Sequence, residues 1–124
     1  MTNLRPTSAI LVVEDDPLIR LSITVDLADL GYEVYEAADA QEAIDQLTQH
    51  ANISVLFTDI DMPGDIDGLR LAALVRDRWP PIKIIVTSGK HQLTCADIPF
   101  TGVFIPKPYT PMVVASVITD IMRP

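Results

Sequence analysis

Apolar, β-branched-rich runs alternate along the chain with segments whose apolar residues recur at helical spacing. The runs span residues 9–13, 33–37, 53–58, 83–87 and 102–105. Four of them are almost wholly apolar, as strands buried on both faces are. The second, EVYEA, is weaker and predicts a sheet edge.

Start signals precede the helical segments. Asp16-Pro17 offers an N-cap followed by a proline in the first turn, where its missing N–H is not needed. Asp39 and Glu42 have capping-box spacing. Asp67 precedes GLRLAALVRDRW, which ends at Pro80-Pro81. Thr110-Pro111 opens the last segment, MVVASVITDIM, and Gly31 follows the first helix where a left-handed residue is expected. Strand–helix alternation with short joins predicts right-handed crossovers and an α/β fold, a doubly wound parallel sheet of five strands. The pattern fails between Lys90 and Thr101. HQLTCADIPF has little helical period and Pro99 interrupts it, so a fourth helix there is expected to be short or irregular.

Composition narrows the class. With 124 residues and 48% hydrophobic content, the chain can form one domain with a substantial core. No apolar run reaches the ~18–20 residues of a membrane span, and MTNLRPTSA lacks the apolar stretch of a signal peptide. One cysteine, Cys95, allows no internal disulfide, which fits a cytoplasmic protein. The net charge of −8, with no cluster of Lys or Arg, argues against nucleic-acid binding.

The acids concentrate in two windows: Glu14, Asp15 and Asp16 after the first run, and Asp59, Asp61, Asp65 and Asp67 after the third. Open α/β sheets bind ligands outside the carboxyl ends of their strands, near the switch in strand order. That edge would receive Glu14-Asp15-Asp16, Asp59, Thr87-Ser88 and Lys107-Pro108. Crowded carboxylates repel one another unless a cation offsets them. Hard oxygen donors in an open crevice suit Mg²⁺, which is held by one or two carboxylates plus a phosphate. Such an ion also templates a phosphoryl group. One carboxylate can then attack phosphorus and give an acyl phosphate. Lys107 can neutralise one phosphoryl oxygen and the Thr87 hydroxyl can donate to another.

The stretches ILVVEDD, LFTDIDMPG, IIVTSG and FIPKP, in this order, resemble the receiver domain of two-component response regulators, of the stand-alone, single-domain type. The resemblance implies a flavodoxin-like sheet in the order 2-1-3-4-5, with the first and last helices on one face. It implies a flexible lead-in over 1–8 and a receiver domain over 9–124. By position, Asp59 matches the phosphoacceptor. Glu14, Asp15, Asp59 and the backbone carbonyl of Asp61 match the Mg²⁺ site. Thr87, Lys107 and Phe104 match the phosphoryl-binding and switch residues, and Pro108 the cis-peptide position. The family tunes phosphoryl lifetime through the positions of Asp61 and Gly89. The resemblance further implies a histidine kinase or histidine phosphotransfer protein as donor and a downstream protein as output. The domain would catalyse its own phosphorylation and dephosphorylation without being a turnover enzyme. Two departures stand out: the loop MPGDIDG is one residue longer than the common pattern, and the stretch from Thr87 to Lys107 is shorter.

Plainer readings exist for the same residues. Asp59 could instead be a solvated loop carboxylate or an Asx turn, Asp15 a cap, Asp61 a loop acid, Thr87 a strand residue and Phe104 core, but the company of Asp15, Thr87 and Lys107 favours the acceptor reading of Asp59. Asp16 reads better as an N-cap than as a ligand. Cys95, His50 and His91 share no metal-binding spacing. LFTDID also resembles the Asp-x-Asp of haloacid-dehalogenase-type phosphatases, with Asp59 as nucleophile and Asp61 as acid/base. That motif normally lies on the first strand, with a later acidic motif that is missing after Lys107. A degenerate receiver acting only as a binding module is a third reading. Finally, Val113, Val114, Val117, Ile118, Ile121 and Met122 cover roughly 180° of the last helix, wider than a core-facing stripe. Leu21 and Val25 lie on the flank of the first helix away from Ile19, Ile23, Leu27 and Leu30. Together these flanks predict an apolar patch suited to a homodimer or to partner docking.

Overall fold

The apolar runs become strands β1 (Ala9–Val13), β2 (Glu33–Ala37), β3 (Ile53–Asp59), β4 (Lys83–Ser88) and β5 (Val103–Pro106). Between and after them lie helices α1 (Pro17–Asp29), α2 (Ala40–Gln49), α3 (Gly68–Arg78) and α4 (Pro111–Ile121). They belong to a computed structural model that describes residues 8–62, 67–89 and 102–122. The strands pair in parallel in the order β2-β1-β3-β4-β5, the flavodoxin-like order expected. The weak strand EVYEA is indeed an edge. β3 and β4 each run one residue past their apolar blocks, because Asp59 pairs with Thr87 and Ser88 with Pro106 in the ladder. β5 starts and ends one residue later than its pattern suggests. Residues 1–7 of the expected lead-in, the expected irregular helix over 90–101 and Asp65 lie outside the described residues.

Each helix starts on the residue its sequence offers. Asp16 Oδ1 accepts from the N–H groups of Leu18 (2.9 Å) and Ile19 (3.3 Å). Asp67 accepts from Arg70 at 2.9 Å, and the Thr110 hydroxyl from Val113 at 3.2 Å. Loss of such a cap costs about 1 kcal/mol. The Asp39–Glu42 pair forms with one difference: Glu42 N donates to Asp39 Oδ1 at 2.9 Å, but Glu42 Oε1 accepts from Ala38, one residue before the cap, at 2.9 Å. Gly31 sits at φ 99°, the left-handed conformation that ends α1.

The sheet carries an apolar layer on each face. On one face Leu11, Leu56 and Val86 pack against Leu47 of α2 and Leu71 and Val75 of α3. On the other, Ile10, Phe57 and Ile85 pack against Ile23 and Leu27 of α1 and Val114 and Ile118 of α4. Truncating a fully buried leucine such as Leu56 to alanine costs about 2–5 kcal/mol. α1 and α4 therefore share one face, and Leu21, Val25 and Val113 on their outer flanks are exposed. Leu30, grouped by period with the core residues of α1, is 53% exposed. It is the C-cap, where the helix has ended and helical spacing no longer sets its direction. Among the described residues no helix is long and apolar enough to cross a membrane.

Candidate functional site

β1 and β3 are neighbours in space, while β2 lies on the far side of β1. Strand order switches there, and ligands of open α/β sheets bind at such a point. Val13 pairs with Thr58, so the two chains leave the sheet side by side as Glu14-Asp15 and Asp59. On the opposite flank Asp59 pairs with Thr87. Two backbone bonds carry the ladder into the loops: Ile60 N–H to Thr87 O at 2.8 Å, and Lys107 N–H to Ser88 O at 3.0 Å. Four segments distant in sequence thus converge on one crevice.

Lys107 Nζ lies 3.0 Å from Glu14 Oε1 and 3.0 Å from Asp59 Oδ2. Both carboxylates are almost fully buried, at 3% and 2% residual exposure. A buried charge without a partner is strongly disfavoured, and one ammonium here serves two. It does not fully compensate Glu14. Burial pushes that carboxyl up to about 7, against the lowering effect of Lys107 and of the Asp16 N–H bonded to Glu14 Oε2 at 3.2 Å; the charge on Asp59 adds to the rise. For Lys107 burial acts downward, but its bonds to Asp59 and Glu14 outweigh it and the ammonium is held above its ordinary range. Asp15 stands exposed at the rim. One carboxylate oxygen from each of Glu14, Asp15 and Asp59 lies within 4.8 Å of the others.

The remaining expected residues fall around this centre. Asp61 donates its backbone N–H to Asp59 Oδ1 at 3.0 Å, and its own Oδ2 accepts from the Ser88 hydroxyl at 2.6 Å. Thr87 is 1% exposed and its hydroxyl oxygen is buried without a hydrogen-bond partner among the described residues. An orphaned buried hydroxyl costs about 1–3 kcal/mol, so its presence calls for a ligand or a functional cause. Phe104 pairs with Val86 in the ladder and packs, half-buried, on the α2–α3 face. The Lys107–Pro108 peptide is cis.

Three contributors carry no motif signal of their own. Arg20 Nη1 donates to the Glu14 carbonyl at 2.8 Å while its Nε lies 3.3 Å from Glu36 Oε1, bracing the first acidic turn against β2. Nothing in the sequence marks Arg20 for this. Gly68 follows its cap, and a Cβ there would stand 2.0 Å from the Asp59 carbonyl oxygen, so only glycine lets α3 start against the acceptor strand. Tyr109 packs edge-on to Phe57, centroids 5.5 Å apart at 79°. Burial, then the charges of Glu14 and Asp59, push its phenol up to about 12. It lines a cavity of about 600 Å³ with Leu18, Ile19, Lys107, Pro108 and Pro111. Its place two residues beyond Lys107 was the one available hint.

The donor set is all hard oxygen, half-open to solvent through Asp15, and carries more negative than positive charge. That chemistry fits Mg²⁺, which retains waters and tolerates few protein ligands. A nucleophilic carboxylate, an adjacent ammonium and an unengaged hydroxyl together suit capture of a phosphoryl group.

The family model for the response regulator receiver domain matches residues 10–118. The chemotaxis protein CheY homolog of Campylobacter jejuni is 34% identical over 119 residues, 91% of each chain. A response regulator receiver protein from Sinorhizobium medicae superposes with a TM-score of 0.84 at 25% identity, covering 93% of this chain and 94% of that one. The receiver domain of the hybrid histidine kinase CckA gives 0.78 at 33% identity, covering 94% and 100%. The chain belongs to the response regulator receiver domain family.

Proposed function

We propose that Asp59 is the phosphoacceptor of this two-component receiver. The observation that carries this reading is the bridge from Lys107 Nζ to Asp59 Oδ2 and Glu14 Oε1, both at 3.0 Å. Membership of the family makes the chain a signalling receiver rather than a turnover enzyme. In the proposed step an Asp59 carboxylate oxygen bonds to phosphorus, the bond from phosphorus to the donor breaks, and its electron pair leaves with the donor. Lys107 neutralises charge on a phosphoryl oxygen, and the unpartnered Thr87 hydroxyl donates to another. The Asp61 N–H orients the acceptor through Asp59 Oδ1. Glu14, Asp15 and Asp59, with the Asp61 carbonyl, would hold Mg²⁺; the ion supplies charge neutralisation between carboxylates and phosphoryl group. Phe104, one ladder position from Thr87, would follow the hydroxyl's movement and shift a bistable surface.

A histidine kinase or a histidine phosphotransfer protein is the proposed donor, and a downstream protein reads the output. Leu18 of α1, 77% exposed, lines a cavity together with Lys107, and Met112 in the first turn of α4 is 82% exposed. This apolar face suits the donor; a homodimer through the same two helices would show in sedimentation as mass rising with concentration. A phosphatase reading with Asp61 as acid/base is less favoured, because Asp61 Oδ2 is engaged by Ser88. A purely binding role is less favoured because acids and lysine are all present and assembled.

The test is incubation with a small phosphodonor and Mg²⁺ followed by intact mass. One phosphoryl group per chain, absent in Asp59→Asn, is expected. Equal labelling of the variant, or none of the wild type, would overturn the assignment.

A further inference from the structure

Glu14 is tied into the fold through four groups. Its N–H donates to Ala37 O at 3.1 Å, its carbonyl accepts from Arg20 Nη1 at 2.8 Å, and its carboxylate takes Lys107 Nζ at 3.0 Å and the Asp16 N–H at 3.2 Å. Asp15 differs. It is exposed, and among the described residues no hydrogen bond or ion pair holds its carboxylate. Its place beside Glu14 and Asp59 is therefore set by the backbone, first of all by the Glu14–Asp15 peptide plane. The carbonyl of that plane is the one Arg20 holds. Arg20 is itself anchored twice. Its backbone N–H donates to Asp16 O at 2.9 Å in the first turn of α1, and its Nε lies 3.3 Å from Oε1 of Glu36, a β2 residue paired with Val12 in the ladder.

We infer that Arg20 is a positioning residue for the divalent ion: its planar fork fixes the Glu14–Asp15 peptide plane, and with it the Asp15 carboxylate, at the spacing Mg²⁺ requires. This rests on the cation role proposed above for Glu14, Asp15 and Asp59. Mg²⁺ demands near-octahedral geometry at short oxygen distances, so a displaced ligand is poorly tolerated. Charge and position make opposite demands on this residue. Arg20 is a cation beside an acidic site, and loss of its charge alone would draw a divalent ion in more tightly. Loss of its fork lets the peptide plane rotate and Asp15 swing, and ordering them again on binding weakens affinity. Lysine keeps the charge, but a single ammonium lacks the rigid fork that serves the Glu14 carbonyl and Glu36 together.

The experiment titrates the full chain with MgCl₂ at constant ionic strength. It follows the backbone amide resonances of Asp15, Asp16 and Asp59 by NMR, with thermal melts in parallel. Arg20→Met is expected to bind Mg²⁺ about tenfold more weakly, the low end for groups that hold metal ligands in place. Arg20→Lys is expected to bind about threefold more weakly, the scale of one hydrogen bond. A merely structural role would lower the melting temperature and leave the Mg²⁺ affinity of the folded protein as it was. Unchanged or tighter binding by Arg20→Met, or Arg20→Lys equal to the wild type, would overturn the inference and leave the cation site standing. Wild-type amides that do not move with Mg²⁺ would remove the site and the inference together. Should Arg20→Met fail to fold, Arg20→Lys carries the same comparison.

Discussion

Lys107 and Asp59 stand 48 residues apart in sequence and 3.0 Å apart at their charged atoms. Three further contacts, Ile60 to Thr87, Lys107 to Ser88 and Ser88 to Asp61, have the same character: each joins the end of one strand to the loop after another. The chemistry of the site therefore follows from strand order and register, and each substitution there has a separable structural and functional effect.

Lys107→Met removes the only ammonium bonded to Glu14 and Asp59 among the described contacts. Leaving a buried carboxylate pair uncompensated is expected to cost about 3 kcal/mol, toward the low end because the Lys107 side chain is 21% exposed. Urea denaturation measures this, and added Mg²⁺ should recover part of it. Phosphoryl uptake falls as well.

Thr87→Val should separate stability from function. The isosteric change deletes a buried hydroxyl that has no partner among the described residues. Folding stability is expected to stay level or rise by up to about 1 kcal/mol, while uptake from a small phosphodonor falls. A loss of stability without loss of uptake would show that the hydroxyl serves the fold.

Gly68→Ala places a methyl 2.0 Å from the Asp59 carbonyl oxygen, a backbone atom that cannot swing aside. The helix start must move away from the acceptor strand, at about 1–3 kcal/mol. Denaturation midpoints measure the cost, and slower labelling at Asp59 measures the displacement.

The Tyr109 phenol, pushed up to about 12 by burial, keeps its proton in the folded state at pH values where the unfolded chain, near 10, has lost it. The stabilising contribution is full below pH 10 and is lost as pH rises through about 12. Lys107, also held above its ordinary value, acts with the same sign. Tyr109→Phe is expected to flatten part of the alkaline decline in stability and to remove a late step from the ultraviolet tyrosine titration.

Leu18→Asp tests docking apart from chemistry. Leu18 is 77% exposed in the cavity it lines with Lys107, and its backbone N–H bonds the α1 cap Asp16 rather than Glu14, Asp15 or Asp59. Transfer from a histidine kinase should fall about tenfold, while labelling by a small donor stays unchanged. Equal loss with both donors would move the effect into the site itself.

The strands, four helix starts and the strand order were legible because alternating periods and capping side chains are local signals. EVYEA betrayed its edge position by its exposed glutamates, and Asp16-Pro17 marked α1 to the residue. That Asp59, Asp15, Thr87 and Lys107 would meet was legible because each lies within two residues of a strand's carboxyl end, and parallel strands deliver those ends to one edge. Leu30 was misplaced because period alone does not tell where a helix stops. Arg20 and Gly68 gave no warning, and Ser88 was placed at the edge by its strand without its partner being legible. Their roles depend on what stands opposite them across the fold, and a hydrogen bond from Ser88 to Asp61 spans 27 residues that no local pattern connects.

Because the bonds from Ile60 to Thr87 and from Lys107 to Ser88 prolong the ladder, the reacting atoms are spaced by the sheet, whose strands lie ~4.8 Å apart. Substitutions on the exposed flanks of α1 and α4, as at Leu18, Leu21 and Met112, can recontour that face while the distances among carboxylates and ammonium hold. Partner choice and phosphate handling are then free to diverge in sequence at separate rates.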